Sequence, residues 1–175
     1  MTIIGIDPGT AVVGYAVIKT NTSKYVKQDR NTKPTVIDFG CIMTTPSSPM
    51  GKRLETIHTE VNQLIKKHKP DLISVENLFF FKNQKTVMPV SQAKGVILLS
   101  AAQNNIPVLE FTPLQVKMTV VGYGRAEKKQ VQEMTKQLVD LSLFNLKEKN
   151  RKKDDASDAL GLALCAVLKS YRLGV

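Results

Sequence analysis

The N-terminal run of the sequence constrains the fold most, because an apolar segment leads directly into an acid and then into a turn. Ile3–Ile6 is apolar, Asp7 follows, and Pro8 and Gly9 interrupt the pattern before a second β-rich run at 11–18. An ionised carboxylate away from water needs a partner or a metal. The stretch therefore predicts a strand whose end holds Asp7 rigidly and still lets it meet solvent. A plain turn explains the stretch equally well, since Asp, Pro and Gly all favour turns.

Length and composition fit one globular domain. The chain has 175 residues, of which 42% are hydrophobic, so disorder is excluded and a full-sized core is available. We expect a single domain over residues 1–175. No apolar run approaches the ~20 residues of a membrane span, and the N-terminus lacks a secretory pattern. We therefore expect a cytoplasmic protein with no membrane partner.

The charge balance indicates an anionic partner. The net charge is +10, and residues 117–153 alone hold ten Lys or Arg against four Asp or Glu. Such an excess is typical of proteins that bind nucleic acid. The alternative is a solvated, lysine-rich surface without a function.

The apolar periodicity predicts five strands and five helices in the order β-β-β-α-β-α-β-α-α-α, which is an α/β fold. Three antiparallel strands open the domain. We expect Pro89 in the first turn of the second long helix, where its missing N–H costs little. The predicted strands are 2–7, 14–20, 36–43, 71–76 and 107–111, and the helices are 52–67, 86–104, a short one after Thr112, 127–141 and 154–171.

Four carboxylates stand apart from the surface charges. Asp7 and Glu76 each end an apolar strand, and neighbouring strands lie about 4.8 Å apart, so both can face one site. Asp155 and Asp158 open the last helix on one face, at i and i+3. Asp154 and Asp158 also share a face, so spacing leaves open which of the two neighbouring acids takes part. Capping of the helix is the alternative role for these acids.

A cluster of carboxylates without basic partners needs cations. Hard divalent ions with oxygen ligands fit, Mg²⁺ above all. Two such ions about 4 Å apart assist phosphodiester cleavage by stabilising the attacking water and the leaving oxygen. The pattern therefore predicts a Mg²⁺-dependent phosphodiesterase, with two ions per subunit and Mn²⁺ as a substitute.

Taken in order, these residues resemble the RuvC family of bacterial Holliday junction resolvases. The likeness runs from residue 2 to about residue 170. The stretches that carry it are Gly5–Tyr15, Ser74–Phe79, Gln115–Gly122 with Ala126–Lys128, and Asp155–Leu160.

The resemblance implies a ribonuclease H-like fold, with a five-stranded mixed sheet of three antiparallel and two further strands flanked by helices. It implies a homodimer that nicks a four-way DNA junction symmetrically during recombination and repair, and a branch-migration motor as a partner. It also implies Mg²⁺ ligands at the four acids and favours Asp155 over Asp154. The implied catalytic and metal-binding acids are Asp7, Glu76, Asp155 and Asp158.

Three further residues have roles that the resemblance implies. Lys117 and Lys128 fall where the family places basic residues for DNA binding and catalysis, and Lys117 next to the acids would neutralise charge on the phosphate. Phe79 falls where the family places an aromatic residue that acts on the junction's bases, although Phe80 or Phe81 could take that role.

Two other functions compete with this one. The Asp-x-Gly-Thr stretch also opens the phosphate loop of sugar-kinase-type ATPases, but those enzymes need two lobes and a second phosphate motif. A catalytically inactive protein that binds DNA structures is the other alternative, and the presence of all four acids argues against it.

Overall fold

The computed structural model describes residues 1–20, 33–77, 84–143 and 153–173, and for residues 84–86, 153 and 171–173 it describes the backbone alone. The element order is the predicted one. The strands are β1 (Thr2–Asp7), β2 (Val12–Lys19), β3 (Thr35–Met43), β4 (Leu72–Glu76) and β5 (Val108–Phe111). The helices are α1 (Met50–His68), α2 (Gln84–Gln103), α3 (Pro113–Val120), α4 (Lys128–Leu138) and α5 (Lys153–Leu173).

The five strands form one mixed sheet in the order β3-β2-β1-β4-β5. β2 pairs antiparallel with β1 and β3, whereas β4 pairs parallel with β1 and β5. This arrangement confirms the predicted ribonuclease H-like sheet. Because β1 and β4 are parallel neighbours, their C-terminal ends reach the same edge of the sheet. That edge carries Asp7 and Glu76.

Each face of the sheet has its own core. On one face, Ile4 and Ile6 of β1 pack with buried residues of α1 and α2. On the other face, Ile3 packs with α5, α3 and α4. Side chains alternate between the faces of a strand, so Asp7 belongs to the same face as Ile3 and Gly5, which is the face covered by α5.

Two glycines allow α5 to lie directly on the strands. A Cβ atom at Gly5 would lie 2.1 Å from the carbonyl oxygen of Ala159, and one at Gly14 would lie 2.1 Å from that of Asp155. Both distances are far shorter than any real contact, so only glycine fits at these positions. A third tie comes from β4, where the buried hydroxyl of Ser74 donates to the carbonyl oxygen of Leu162 at 2.8 Å. The N-terminal turns of α5 are thereby held against β1 and β2.

One sequence expectation about α2 was wrong. Pro89 lies inside the helix that begins at Gln84, beyond its first turn. The preference of proline for a helix start suggested the later boundary, but a proline near a helix end loses only one backbone hydrogen bond, and α2 tolerates it. Within the described ranges, no helix combines the length and the apolar character that crossing a bilayer requires.

Candidate active site

The structure brings the four predicted carboxylates together from three elements. Asp7 is the last residue of β1 and Glu76 the last residue of β4, and both belong to the sheet face that α5 covers. Asp155 and Asp158 lie in the first turns of α5. Gly14 is the β-sheet partner of Asp7 and is also the point where the backbone of Asp155 touches β2. The close packing of α5 therefore brings its acids to the end of β1.

The pKa of Asp7 reflects its burial and the negative charges of the neighbouring carboxylates. The pKa of the Asp7 carboxyl is raised from 3.8 to about 8, and burial is the largest cause. The negative charges of neighbouring carboxylates act in the same direction, first Glu76, then Asp158 and Asp155, and a hydrogen bond between Asp7 and Glu76 adds to them. Burial also raises the pKa of Glu76. The raised pKa favours the protonated form of the Asp7 carboxyl near neutral pH, with its hydrogen bond directed to Glu76.

The structure distinguishes the two adjacent acids of α5. Asp155 is half-buried and its charge acts on Asp7, whereas Asp154 is exposed. The charge of Asp154 is felt instead by Lys128. Position therefore favours Asp155 as the member of the cluster, in agreement with the choice that the resemblance implied.

Lys128 joins the cluster from the start of α4. Its Nζ donates to Oδ2 of Asp158 at 2.6 Å, with the lysine side chain 57% and the aspartate side chain 34% exposed. Burial acts against the charged form, but the hydrogen bond and the charge of Asp158 outweigh it and keep the pKa of Lys128 above its usual value. A lysine at a helix N-terminus is unfavourable for the helix dipole, and here the ion pair with Asp158 offsets that cost.

The turn after Asp7 is braced by residues that the sequence patterns did not single out. The backbone N–H of Thr44 donates to the carbonyl oxygen of Ala11 at 3.0 Å, and its hydroxyl donates to the carbonyl oxygen of Thr10. Arg53 of α1 donates through Nε to the Thr44 hydroxyl at 2.9 Å. These bonds fix the turn that follows β1 and, with it, the direction of the Asp7 side chain.

The donor set fits a hard divalent cation, because four carboxylates offer only oxygen ligands. As the side chains lie, no group of three or more His, Cys, Asp or Glu residues in the described ranges already has the geometry of a metal site. The hydrogen bond between Asp7 and Glu76, and the contact of Lys128 with Asp158, take up oxygens that such an ion would use. Carboxylate side chains change rotamer easily, so these four can turn their oxygens towards an ion.

Of the two other predicted site residues, one makes no ion pair among the described residues and the other lies outside them. Lys117 is half-buried on α3, and it makes no ion pair among the residues that the structure describes. The helix that carries it packs across α5 through Val116, which lies 3.5 Å from a Cβ placed at Gly161. Phe79 lies outside the described residues, as do Phe80 and Phe81.

The sequence patterns did not single out Lys94, whose ammonium group lies near the C-terminal ends of β4 and β5, on the face of the sheet that α2 covers. Lys94 of α2 forms an ion pair with Glu110 of β5 and a hydrogen bond with Asn77, the residue after Glu76. The signal in the sequence is weak, since it consists of one lysine between Ala93 and Gly95 in a helix of small residues.

Comparisons with known proteins agree on one family. The sequence model described as "Crossover junction endodeoxyribonuclease RuvC" matches residues 3–166. A protein of that name from Halothermothrix orenii is 46% identical over 173 residues, which cover 99% of this chain and 95% of the relative. One from Fusobacterium nucleatum is 44% identical over 164 residues, or 94% of this chain and 78% of the relative.

A solved structure gives the same result. The Thermus thermophilus RuvC in complex with a Holliday junction substrate superimposes with a TM-score of 0.83 at 25% identity, and the match covers 99% of this chain and 97% of the other. The yeast mitochondrial Holliday junction resolvase Ydc2, with a TM-score of 0.62 and 17% identity over 98% of this chain and 81% of the other, shows a shared fold.

Proposed function

This chain belongs to the RuvC family of crossover junction endodeoxyribonucleases, and we propose that its four converging carboxylates bind the divalent metal ions on which its reaction depends. It is a Holliday junction-resolving endodeoxyribonuclease that acts in DNA recombination and repair. The family assignment does not favour the two alternatives, a sugar-kinase-type ATPase and an inactive DNA-structure binder.

The convergence of Asp155 and Asp158 with Glu76 around the buried carboxyl of Asp7 is the observation that carries the metal proposal. Four hard oxygen donors on a chain of net charge +10 favour Mg²⁺, with Mn²⁺ as a substitute, and the number of carboxylates is sufficient for two ions. When bound, the ions would supply an activated water and charge stabilisation for the leaving oxygen.

The residues of the chain have distinct tasks in this mechanism. Asp7 lies at the centre of the cluster and, together with Glu76 and the two acids of α5, would hold the metal ions. Lys128 moves from Asp158 to a phosphate oxygen of the DNA, where its positive charge favours the developing negative charge. Lys117 on α3 binds the flanking backbone.

Metal binding in this site would require a proton and the ammonium group of Lys128 to leave the carboxylates. The proton that the raised pKa of Asp7 favours would have to dissociate, because ligands to a divalent ion are deprotonated. The ammonium group of Lys128 must also release Asp158. We therefore propose that metal binding releases a proton and frees Lys128 for the DNA.

The substrate and the assembly follow from the family. The name of the Thermus thermophilus complex reports a Holliday junction as its substrate, and we propose that this chain takes the same four-way DNA. Two symmetric nicks on a two-fold symmetric substrate require two active sites, so we propose a homodimer. A branch-migration motor remains a further proposed partner.

The test uses a labelled four-way junction with Mg²⁺, comparing the wild type with Asp7→Asn and with the control Glu55→Gln, an exposed acid on α1. We expect paired nicks from the wild type and the control, and a rate at least about 10³-fold lower from Asp7→Asn. Direct titration with Mn²⁺ should show binding to the wild type and weak or no binding to Asp7→Asn. Cleavage that survives Asp7→Asn would exclude the proposed site.

A further inference from the structure

The cation at Lys94 lies behind the active site, on the opposite face of the sheet. Its Nζ contacts Oε2 of Glu110 and donates to Oδ1 of Asn77 at 3.4 Å. The lysine side chain is only 13% exposed and that of Glu110 is 37% exposed. An unpaired ammonium at this depth would be costly, so the two acceptors fix where the lysine lies.

The two acceptors lie at the ends of two neighbouring strands. Asn77 directly follows β4, the strand that ends at Glu76, and Glu110 belongs to β5. Glu76 and Phe111 are partners in the parallel pairing of β4 and β5, and Glu110 precedes Phe111. The N–H of Asn77 donates to the carbonyl oxygen of Phe111 at 2.8 Å. Lys94 therefore ties α2 to the point where both strands end, one residue from the carboxylate.

The position of Glu76 needs such a tie more than that of Asp7. Asp7 ends the central strand, which is bonded on both sides, and its turn is braced by Thr44. Glu76 ends β4, whose outer neighbour β5 is a four-residue strand at the edge of the sheet. Strand ends at a sheet edge open more easily than central strands.

Lys94 approaches the strand ends from the face of the sheet opposite to Glu76. Val108 and Glu110 of β5 face the α2 side, because Val108 packs with the core under α1 and α2. Glu76 faces the α5 side, together with Ser74. The lysine acts on the site only through the strand ends and through its charge, which opposes the burial that raises the pKa of Glu76.

We propose that Lys94 is a positioning residue for Glu76, which it holds in place for divalent metal binding by tying the ends of β4 and β5 to α2. This inference rests on the proposed metal-dependent reaction. Partners behind the ligands of a metal site contribute about 10–100-fold to metal affinity or activity.

The experiment compares Lys94→Met, which keeps the length of the side chain but removes its charge and donors, with Lys94→Arg, which keeps both. Lys52→Met is the matched control, because Lys52 forms an exposed ion pair with Glu55 on α1. We measure single-turnover cleavage of a four-way junction, Mn²⁺ affinity without DNA, junction affinity in EDTA, and thermal unfolding.

We expect Lys94→Met to lower the cleavage rate at saturating metal by about 10–100-fold and to weaken Mn²⁺ binding by about tenfold. Junction affinity in EDTA should stay within about twofold of the wild type, because the Lys94 ammonium is nearly buried and paired with Glu110, so it is not free to contact phosphate. Lys94→Arg should restore most of the rate, and Lys52→Met should leave every readout unchanged.

Two results would overturn the inference. Wild-type rate and Mn²⁺ affinity in Lys94→Met would show that the tie is dispensable. If Lys94→Met does not fold, Glu110→Gln removes the ion pair in its place, and wild-type rate and affinity in that variant would also refute the role. If Asp7→Asn binds Mn²⁺ as tightly as the wild type, the metal proposal itself is refuted. This result differs from a failure at Lys94, so the two failures can be told apart.

Discussion

At the residue scale, the carboxyl group of Asp7 combines burial with three negative neighbours, and its pKa is raised to about 8 as a result. A cluster of this kind serves catalysis at the expense of stability, because like charges in a buried site repel one another until cations bind. Two predictions follow from the individual acids.

The first concerns the pH dependence of stability in the absence of metal. Between the ordinary pKa of 3.8 and the folded value of about 8, the folded protein binds more protons at Asp7 than the unfolded chain does. The contribution of Asp7 to the free energy of unfolding therefore falls as pH rises through this window. Asn at this position does not titrate.

We expect Asp7→Asn to exceed the wild type in free energy of unfolding by about 1–3 kcal/mol at pH 8 in EDTA. The difference should shrink towards pH 4, and saturating Mg²⁺ should reduce it at pH 8. Urea unfolding across this pH range measures it. A difference that does not change with pH would contradict the raised pKa.

The second prediction separates Asp155 from Asp154. Asp155 is half-buried beside Asp7, whereas Asp154 is exposed. We expect Asp155→Asn to lower single-turnover cleavage by at least about 10²-fold, and Asp154→Asn to stay within about threefold of the wild type. The two variants differ by one position and have the same change in charge, so each controls for the other. Equal losses would place both acids in the site.

The candidate acids could be named from sequence, since a carboxylate that ends an apolar strand is visible in the residue order. Spacing alone did not separate Asp155 from Asp154, and the resemblance made that choice. The roles of Lys94 and Thr44 could not be predicted. Each acts through a partner far away in the chain, Glu110 for one and Thr10 for the other. Such pairs become visible only when the strands are in register.

At the element scale, the placement of α5 decides the geometry of the site, because two of the four acids arrive on it. At Gly5 of β1 and Gly14 of β2, the helix packs directly against the backbone of the strands. This contact also explains the stripe of small residues in the helix, including the buried Ala156, Ala159 and Ala163. The sequence indicated an apolar helix but not this close approach, because a glycine inside a strand has several explanations.

Gly14→Ala tests the contact. The added methyl group would meet the carbonyl oxygen of Asp155 at 2.1 Å, so the N-terminal turns of α5 must move. We expect a loss of about 1–3 kcal/mol in the free energy of unfolding and a fall of about 10²-fold in cleavage rate, as a displacement of about 1 Å suffices for that.

Gly95→Ala is the matched control, because a methyl group at this α2 position meets nothing within 4 Å. It should leave activity unchanged and raise stability slightly, since alanine favours a helix over glycine by about 1 kcal/mol. Urea unfolding and single-turnover cleavage measure both variants. A Gly14→Ala protein as active as Gly95→Ala would show that the helix adjusts without displacing its acids.

At the scale of the whole molecule, the charge is distributed unevenly around the sheet. The carboxylates lie at the C-terminal ends of β1 and β4, and the exposed cations Arg125, Lys128 and Lys129 lie between α3 and the start of α4. Lys66 lies at the other end of the sheet, in the last turn of α1 before the chain enters β4.

Junction binding in EDTA should therefore weaken steeply with salt, because phosphate contacts release counterions. We expect Lys129→Gln to reduce the slope of log K against log salt by about 1, and Lys66→Gln to leave it unchanged. Fluorescence anisotropy with a labelled junction at several salt concentrations measures the slopes. Equal slopes in the two variants would place the DNA elsewhere on the surface.

The fold class and the strand order of the opening meander could be predicted because alternation and turn residues are local signals. The sequence predicted one domain over residues 1–175, and that expectation stands as a prediction. The path of the sheet beyond β3 depends on long-range pairing of β1 with β4, which no local pattern specifies. The resemblance supplied a mixed five-stranded sheet, and the pairing of β1 with β4 comes from the structure.

The contact of α5 with Gly5 and Gly14 also has a consequence for protein synthesis. Ribosomes make the chain from the N-terminus, so Asp7 and Glu76 emerge long before Lys153–Leu173, the helix that carries the other two acids. A nascent chain, or a fragment left by a premature stop codon before that helix, contains only half of the carboxylates. We expect such a fragment to have no cleavage activity, because the proposed metal site needs the acids of α5 as well as those of the strands.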